Sequence, residues 1–150
     1  MNTAVTRVIA SFAHRWRSAM GQSKAAHLER GATGEKLAAR FLRAEGYKIL
    51  HRNFRGRSGG EIDIICRDAD TLVFVEVKTR SREDFGRPFE AIHADQQRRI
   101  SRGALAWLRM LDNPEILFRF DVVEVIIAEG EKPRVELLRD AFALSEPYRY

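Results

Sequence analysis

The stretch GEIDIICRDADTLVFVEVKTR, residues 60–80, decides the fold of this chain. Two runs rich in Ile, Val and Phe, residues 61–67 and 71–80, flank the turn-forming sequence RDAD. Apolar β-branched runs on either side of a short polar turn are typical of neighbouring antiparallel strands. The stretch therefore predicts two paired strands, and these strands carry acids and a lysine among their apolar residues.

The alternation of side chains across a strand places these charges. Asp63 is expected to share one face of the first strand with Glu61, and Glu76 to share one face of the second with Lys78. The opposite faces are expected to hold Ile62, Ile64, Cys66, Val73, Val75 and Val77. A suitable register brings Asp63 close to Glu76. Two such carboxylates raise each other's pKa unless a cation lies between them.

Two explanations of these charges remain open on spacing alone. A divalent metal ion would resolve the repulsion, since carboxylates and water are the ligands that Mg²⁺ or Mn²⁺ prefers. Alternatively, Lys78 neutralises Glu76, and Asp63 bonds Arg80 or a backbone amide. Perturbed carboxylates mark functional sites only statistically.

The rest of the chain predicts an α/β fold with a mixed sheet flanked by helices. KAAHLERGATGEKLAARFLRAEG, from residue 24, has an apolar helical stripe and ends at Gly46, which is placed as a C-terminal cap. YKILHRN predicts the first of three strands in an antiparallel meander, and SREDFGRPFEAI an irregular loop. A second helix follows, then one or two strands from FRFDVVEVIIAEG and PRVELL. The inner face of that helix is predicted to hold Ile100, Ala104, Trp107, Leu108 and Leu111.

Length and composition indicate one soluble domain with a basic N-terminal extension. The chain has 150 residues, of which 45% are hydrophobic, with no apolar run long enough to cross a bilayer. We expect residues 24–150 to form the domain and residues 1–23 to be an amphipathic helix or a frayed extension. The extension also has the acid-poor character of an organellar transit peptide, although a cytoplasmic protein is favoured. The single cysteine, Cys66, excludes an internal disulfide, fits a reducing cytoplasm and is expected in the core.

The net charge of +5 says little about the folded part, because residues 1–28 contain four basic residues and no acid. Any phosphate-binding surface in the remainder must be a local patch. One candidate patch holds Arg52, Arg55 and Arg57 beside Phe54. The other gathers Arg80, Arg82, Arg87, Arg98, Arg99 and Arg102. A solvated basic surface is the alternative for each patch.

The strand pair resembles a known signature. An Asp on one strand followed by Glu76-Val77-Lys78 on the next is similar to the PD-(D/E)xK motif of restriction-endonuclease-like nucleases, with Ile62 where the motif has Pro. The chain resembles more closely the YraN-like family of uncharacterised bacterial proteins. The matching segments are GATGEKLAARFLRAEGYKILHRNFR, GEIDIICRDADTLVFVEVKTR, QRRISRGALAWL and RFDVVEV, within residues 30–127.

The resemblance implies a restriction-endonuclease-like core and a site for Mg²⁺ or Mn²⁺. Asp63 and Glu76 would be metal ligands, with the Val77 carbonyl as a third, and Lys78 would orient water or stabilise phosphate charge. Glu35 corresponds to an acid on the first helix that completes such sites, and Gly31 and Gly34 would permit a close approach there. Family members usually have a lysine where Gln96 aligns, so Gln96 departs from the pattern while keeping the capacity to hydrogen-bond a phosphate. The candidates for nucleic-acid binding are Arg52, Arg55, Arg57, Arg80, Gln96 and Arg99.

Three hypotheses follow from different classes. The first is a magnesium-dependent endonuclease that hydrolyses phosphodiester bonds in DNA, including branched or repair structures, with a homodimer as a plausible assembly. The second is a nucleic-acid-binding module that keeps the fold without turnover, and the third is a structural protein whose acids only form ion pairs. Asp121, a further acid in RFDVVEV, is expected to have a structural hydrogen-bonding role.

Overall fold

A computed structural model describes the backbone of residues 3–81 and 92–150, with side chains from residue 24 onward in these ranges. The chain divides into two units, Met1–Thr33 and Gly34–Tyr150. The first is the N-terminal part of one long helix, α1 (Thr3–Ala44), and the second contains the remaining elements. No helix within the described ranges is long and apolar enough to span a membrane.

The second unit is built on one five-stranded mixed sheet, as predicted. Its elements are β1 (Lys48–Arg55), β2 (Glu61–Asp68), β3 (Thr71–Arg80), α2 (Ala94–Met110), β4 (Phe118–Ile126) and β5 (Arg134–Phe142). The strands lie in chain order, and every neighbouring pair is antiparallel except β3 and β4, which are parallel. A parallel pair needs a long crossover connection, and α2 lies within it. Most of the predicted loop, residues 82–91, falls outside the described residues.

The two faces of the sheet carry separate apolar cores, because successive residues of a strand point to opposite sides. On one face, Phe74 packs with Ile100 and Leu108 of α2. On the other face, Val73 and Val75 pack with Leu42 of α1. Helix α1 ends at Ala44, and Gly46 follows as the predicted C-terminal cap with a φ of +90°, a conformation that favours glycine. The predicted mixed sheet flanked by helices is therefore confirmed.

Two details of the predicted cores are wrong and one is confirmed. Ile62 was expected to share a face with Ile64 and Cys66, but it packs in the α2 core instead. Leu111 is 48% exposed, because α2 ends one residue before it. Cys66 is fully buried, and burial raises the pKa of its thiol to about 12, which fits its predicted place in the core.

Ile62 packs against α2 because this helix crosses the start of β2 at two glycines, Gly60 and Gly103. A Cβ atom added to Gly60 would lie 2.1 Å from the backbone nitrogen of Gly103, and one added to Gly103 would lie 2.9 Å from Ile62. The helix therefore contacts the strand almost backbone to backbone. This contact fixes the height of α2 above the sheet.

We expect Gly60→Ala to destabilise the protein, because the new methyl group meets backbone and not a movable side chain. Overpacking of this kind typically costs about 1–3 kcal/mol in the free energy of unfolding, measurable by urea denaturation. Gly31→Ala is the matched control, since no atom of the described residues lies within 4 Å of its added Cβ. Replacing a helical glycine there should stabilise by up to about 1 kcal/mol. Wild-type stability of Gly60→Ala would contradict the tight crossing.

Candidate active site

The candidate site lies where β2 and β3 separate. Their described pairing runs from Asp68 opposite Thr71 to Ile64 opposite Val75. Beyond that point the carboxylate of Asp63 accepts a hydrogen bond from the backbone N–H of Val77, at 2.8 Å from Oδ2. A side chain thus takes the place of the backbone acceptor that a continued ladder would supply. Asp63 is thereby held against β3, beside Glu76.

Helix α2 closes the site through Gln96. Its amide nitrogen donates a hydrogen bond to Glu76 Oε1, and its amide oxygen accepts one from Lys78 Nζ at 2.8 Å. Lys78 Nζ also lies 3.7 Å from Glu76 Oε1. One amide therefore joins the acid and the base of the Glu76-Val77-Lys78 motif. The glycine contact between α2 and β2 holds the helix that carries this amide.

The two carboxyl groups affect each other's protonation. Burial raises the pKa of Asp63 to about 7, and the negative charges of Glu76 and Glu35 act in the same direction. Burial also raises the pKa of Glu76, although Lys78 and Arg99 oppose the increase. A hydrogen bond between the two side chains favours the proton on Asp63. Near neutral pH the pair therefore shares one proton in the absence of another cation.

Glu35 lies at the border of this site and not among its hydrogen bonds. Its Oε2 is 4.0 Å from Arg52 Nη2, and its charge raises the pKa of Asp63. Helix α1 approaches β3 closely at Gly34, where an added Cβ would lie 1.9 Å from Thr79 Oγ1. The expected close approach is confirmed at Gly34, and the same expectation for Gly31 stays a prediction.

The arginines predicted to bind nucleic acid differ in their surroundings. Arg55 and Arg99 lie on either side of Glu61, at 3.6 Å and 3.9 Å from its oxygens, so that three charges lie beside the site. Arg80 instead forms an ion pair with Glu124, a partner that is only 6% exposed. Arg57 lies in the loop between β1 and β2 and is exposed. Arg82 and Arg87 lie outside the described residues.

Asp63 and Glu76 supply carboxylate oxygens, which are suitable ligands for a divalent cation. Among the described residues, no three His, Cys, Asp or Glu side chains form a group that could hold a metal ion. Asp63 and Glu76 are adjacent carboxylates that retain a proton near neutrality, and a bound cation relieves the same repulsion as that proton. The backbone N–H of Val77 is occupied by Asp63. Ligation by the Val77 carbonyl remains a prediction.

Two contacts were not predicted. Glu61 connects Arg55 with Arg99, and the alternation that placed Glu61 on the face of Asp63 was the available signal for this contact. Glu124 pairs with Arg80. This contact can be recognised only from the parallel register of β3 and β4, in which Glu124 lies opposite Lys78, two residues before Arg80. Contacts across a parallel pair depend on a crossover whose length does not determine the register.

Comparison with known proteins places this site in a family. A family model described as Uncharacterised protein family UPF0102 matches residues 34–125. The chain belongs to UPF0102. This family is the YraN-like group of bacterial proteins, so the resemblance noted in the sequence is confirmed. The UPF0102 match runs from the residue before Glu35 to Val125 in β4 and includes every candidate site residue.

Individual UPF0102 proteins are similar over nearly their whole length. A UPF0102 protein of Nocardia farcinica is 50% identical over 112 residues, which cover 75% of this chain and 87% of that protein. One from Geobacter sulfurreducens is 47% identical over 115 residues, covering 77% and 89%. One from Rhodococcus opacus is 48% identical over 116 residues, covering 77% and 98%.

Proposed function

We propose that this UPF0102 protein is a metal-dependent nuclease that hydrolyses phosphodiester bonds in DNA, with branched or repair intermediates as substrates. The observation that carries the proposal is the buried carboxyl group of Glu76 next to the half-buried one of Asp63, beside the lysine at position 78. Burial alone would favour apolar residues here, since buried charges are costly without partners. A site that must bind a cation explains why the acids are present.

The cation would be Mg²⁺ or Mn²⁺, held by Asp63 and Glu76 with the Val77 carbonyl as a further ligand. Such an ion supplies Lewis-acid polarisation of a phosphoryl oxygen and a bound water of lowered pKa. The chain contributes a rigid arrangement of these ligands, because Asp63 is fixed by the Val77 N–H and Glu76 by Gln96. Because the raised pKa of Asp63 keeps a proton on this pair near neutrality, cation binding would release that proton and would strengthen as pH rises.

Lys78 is the group suited to the phosphate. Its side chain is 32% exposed, which leaves the ammonium accessible from solvent, and Gln96 and Glu76 fix its position. An oriented ammonium stabilises negative charge that develops on a phosphate oxygen in the transition state. Arg55 and Arg99 would bind the DNA backbone without reading bases, since contacts to phosphate carry no sequence information.

A second candidate function is a DNA-binding module without turnover. The observation that favours it is the closed ring of Gln96, Glu76 and Lys78, in which each polar group already has a partner within the protein. In a catalytic protein, a substrate phosphate would take the third donor of the Lys78 ammonium, beside Gln96 and Glu76. In a binding module, the ring would remain closed.

The test is cleavage of linear, flapped and four-way-junction DNA by the full chain, with magnesium, manganese or EDTA. We expect metal-dependent products from at least one substrate. Asp63→Asn and Lys78→Ala should each reduce the rate at least about 100-fold, the usual size of losing one charge-stabilising group. Asp70→Asn is the matched control, because Asp70 lies exposed in the turn between β2 and β3.

The outcome also separates the two candidate functions. DNA binding without cleavage under any metal condition would support the binding module and contradict the nuclease. Cleavage that persists in Asp63→Asn, or in EDTA, would show that the activity does not arise from this carboxylate pair.

A further inference from the structure

A second concave surface lies on α2, away from the carboxylates. A cavity of about 630 Å³ lies between the loop that joins β1 to β2 and the last turns of α2. Three apolar side chains line it, Phe54, Ala106 and Met110, together with three arginines, Arg55, Arg57 and Arg109. Its volume falls within the range of small-molecule sites. We call it the hairpin cavity.

The apolar side of the hairpin cavity is suited to a planar ring. Phe54 belongs to an aromatic group with His51 and Trp107, with ring centroids 5.2–5.8 Å apart. Met110 also lines the cavity and is 67% exposed, so its thioether is accessible to a ligand. Aromatic rings and thioethers both make favourable contacts with the faces and edges of bases.

The charged side is suited to an anion. No Asp or Glu lines the cavity in the described part of the chain. Arg57 and Arg109 form no ion pair with any residue whose side chain the structure describes, and the side chain of Arg55 is 80% exposed despite its contact with Glu61. Unneutralised guanidinium groups beside an apolar surface match a phosphate attached to a base.

Helix α2 connects this cavity to the candidate active site. Gln96 lies in its first turn and Ala106 ten residues later, so the two sites are about 15 Å apart along the helix at its usual rise. That distance corresponds to about four to five nucleotides at the spacing of one strand of B-DNA. Arg55 lines the cavity, Arg99 lies near Glu76, and Glu61 pairs with both arginines.

We propose that the hairpin cavity binds one unpaired nucleotide of the DNA substrate, with its base against Met110 and the exposed edge of Phe54 and its phosphate at Arg57 and Arg109. This rests on the proposed function for the identity of the nucleic acid, and it adds what that function leaves open, namely recognition of DNA shape. A base within a duplex is stacked on both sides and cannot enter such a cavity, whereas a bulged or flap nucleotide can.

The test measures binding in EDTA, so it does not depend on cleavage. Fluorescein-labelled duplex DNA and the same duplex with one unpaired adenosine are titrated with the full chain by fluorescence anisotropy. We expect the bulged DNA to bind at least about tenfold tighter. Arg57→Ala/Arg109→Ala should abolish this preference. Arg43→Ala/Arg67→Ala is the matched control, since it removes two exposed arginines away from the cavity and should keep the preference.

A second variant and a second signal keep the proposal testable if charge removal weakens all binding. Ser58→Leu narrows the cavity from its exposed side without changing charge or adding an aromatic ring, and should remove the bulge preference. In a Trp16→Phe background, Trp107 is the single tryptophan, and its contact with Phe54 should report entry of a base as quenching by bulged DNA alone.

Equal affinity for both DNAs, or the same loss of preference in the control pair, would overturn the proposal. These outcomes are distinct from failure of the nuclease. Bulge-selective binding that requires Arg57 and Arg109 supports the hairpin cavity even if no cleavage occurs. Cleavage without any preference for unpaired nucleotides supports the nuclease and contradicts the cavity.

Discussion

The Asp63→Asn variant is expected to be more stable than the wild-type chain at pH 8 in EDTA. An asparagine can accept the Val77 N–H through its oxygen and donate its amide to Glu76, the same two roles that a protonated Asp63 fills. The asparagine side chain carries no charge, unlike the ionised side chain of Asp63 at pH 8. We expect a gain of about 1–3 kcal/mol in the free energy of unfolding, or roughly 5–10 °C in Tm. Active-site groups often reduce stability in this way.

The pH dependence of wild-type stability follows from the same pKa. Burial and Glu76 raise the pKa of Asp63 from 3.8 to about 7, so between these values the folded chain retains a proton that the unfolded chain has released. The unfolded state then binds fewer protons, and stability falls as pH rises. This loss is at most about 1.4 kcal/mol per pH unit and ends above pH 7. Below pH 4 both states are protonated and the penalty disappears.

The measurement is a set of thermal unfolding curves from pH 4 to pH 8, in EDTA and then with magnesium. Wild type should lose stability between pH 5 and pH 7, while Asp63→Asn should lose much less. Magnesium at pH 8 should raise the Tm of wild type and not that of the variant, because binding to the folded state stabilises it. Asp70→Asn should behave as wild type throughout. Parallel pH profiles for wild type and Asp63→Asn would contradict a shared proton.

Local pattern was sufficient to predict the strands that form the site. The bounds of β3 agree with the prediction because a short apolar run rich in β-branched and aromatic residues follows a turn, which is typical of a strand buried on both faces. The proximity of Asp63 and Glu76 followed from a short turn, which restricts the register of an antiparallel pair. These features depend on neighbours in the sequence, and that is why they could be predicted.

Features that depend on packing between distant segments were not predictable. The face of Ile62 was predicted incorrectly because Gly60 and Gly103 bring α2 onto β2, and no period encodes that contact. Gln96 was named as a candidate, yet its bridge between Glu76 and Lys78 requires the height of α2 above the sheet. The sequence thus predicted the positions of Asp63 and Glu76, and only the structure showed the hydrogen bonds that hold their side chains in place.

The second large effect is expected at Asp121, which is fully buried in β4. Its Oδ1 accepts hydrogen bonds from Arg119 Nε and from the backbone N–H of Asp140, both at 2.9 Å. Arg119 also donates to Asp68 at 2.8 Å and to the Tyr47 hydroxyl at 3.0 Å. These contacts join β4 with β5, the end of β2 and the start of β1. The structural hydrogen-bonding role predicted for Asp121 is confirmed.

We expect Asp121→Ala to lower the free energy of unfolding by about 3–5 kcal/mol, because it leaves the half-buried guanidinium of Arg119 without its main partner. Urea denaturation would measure the loss. Asp70→Ala is the exposed control and should change stability by less than about 0.5 kcal/mol. The double variant Arg119→Met/Asp121→Ala should be more stable than the sum of the two single losses, since removing both charges leaves neither unpaired. Additive losses would show that the two side chains act independently, and the network would then not be what joins these strands.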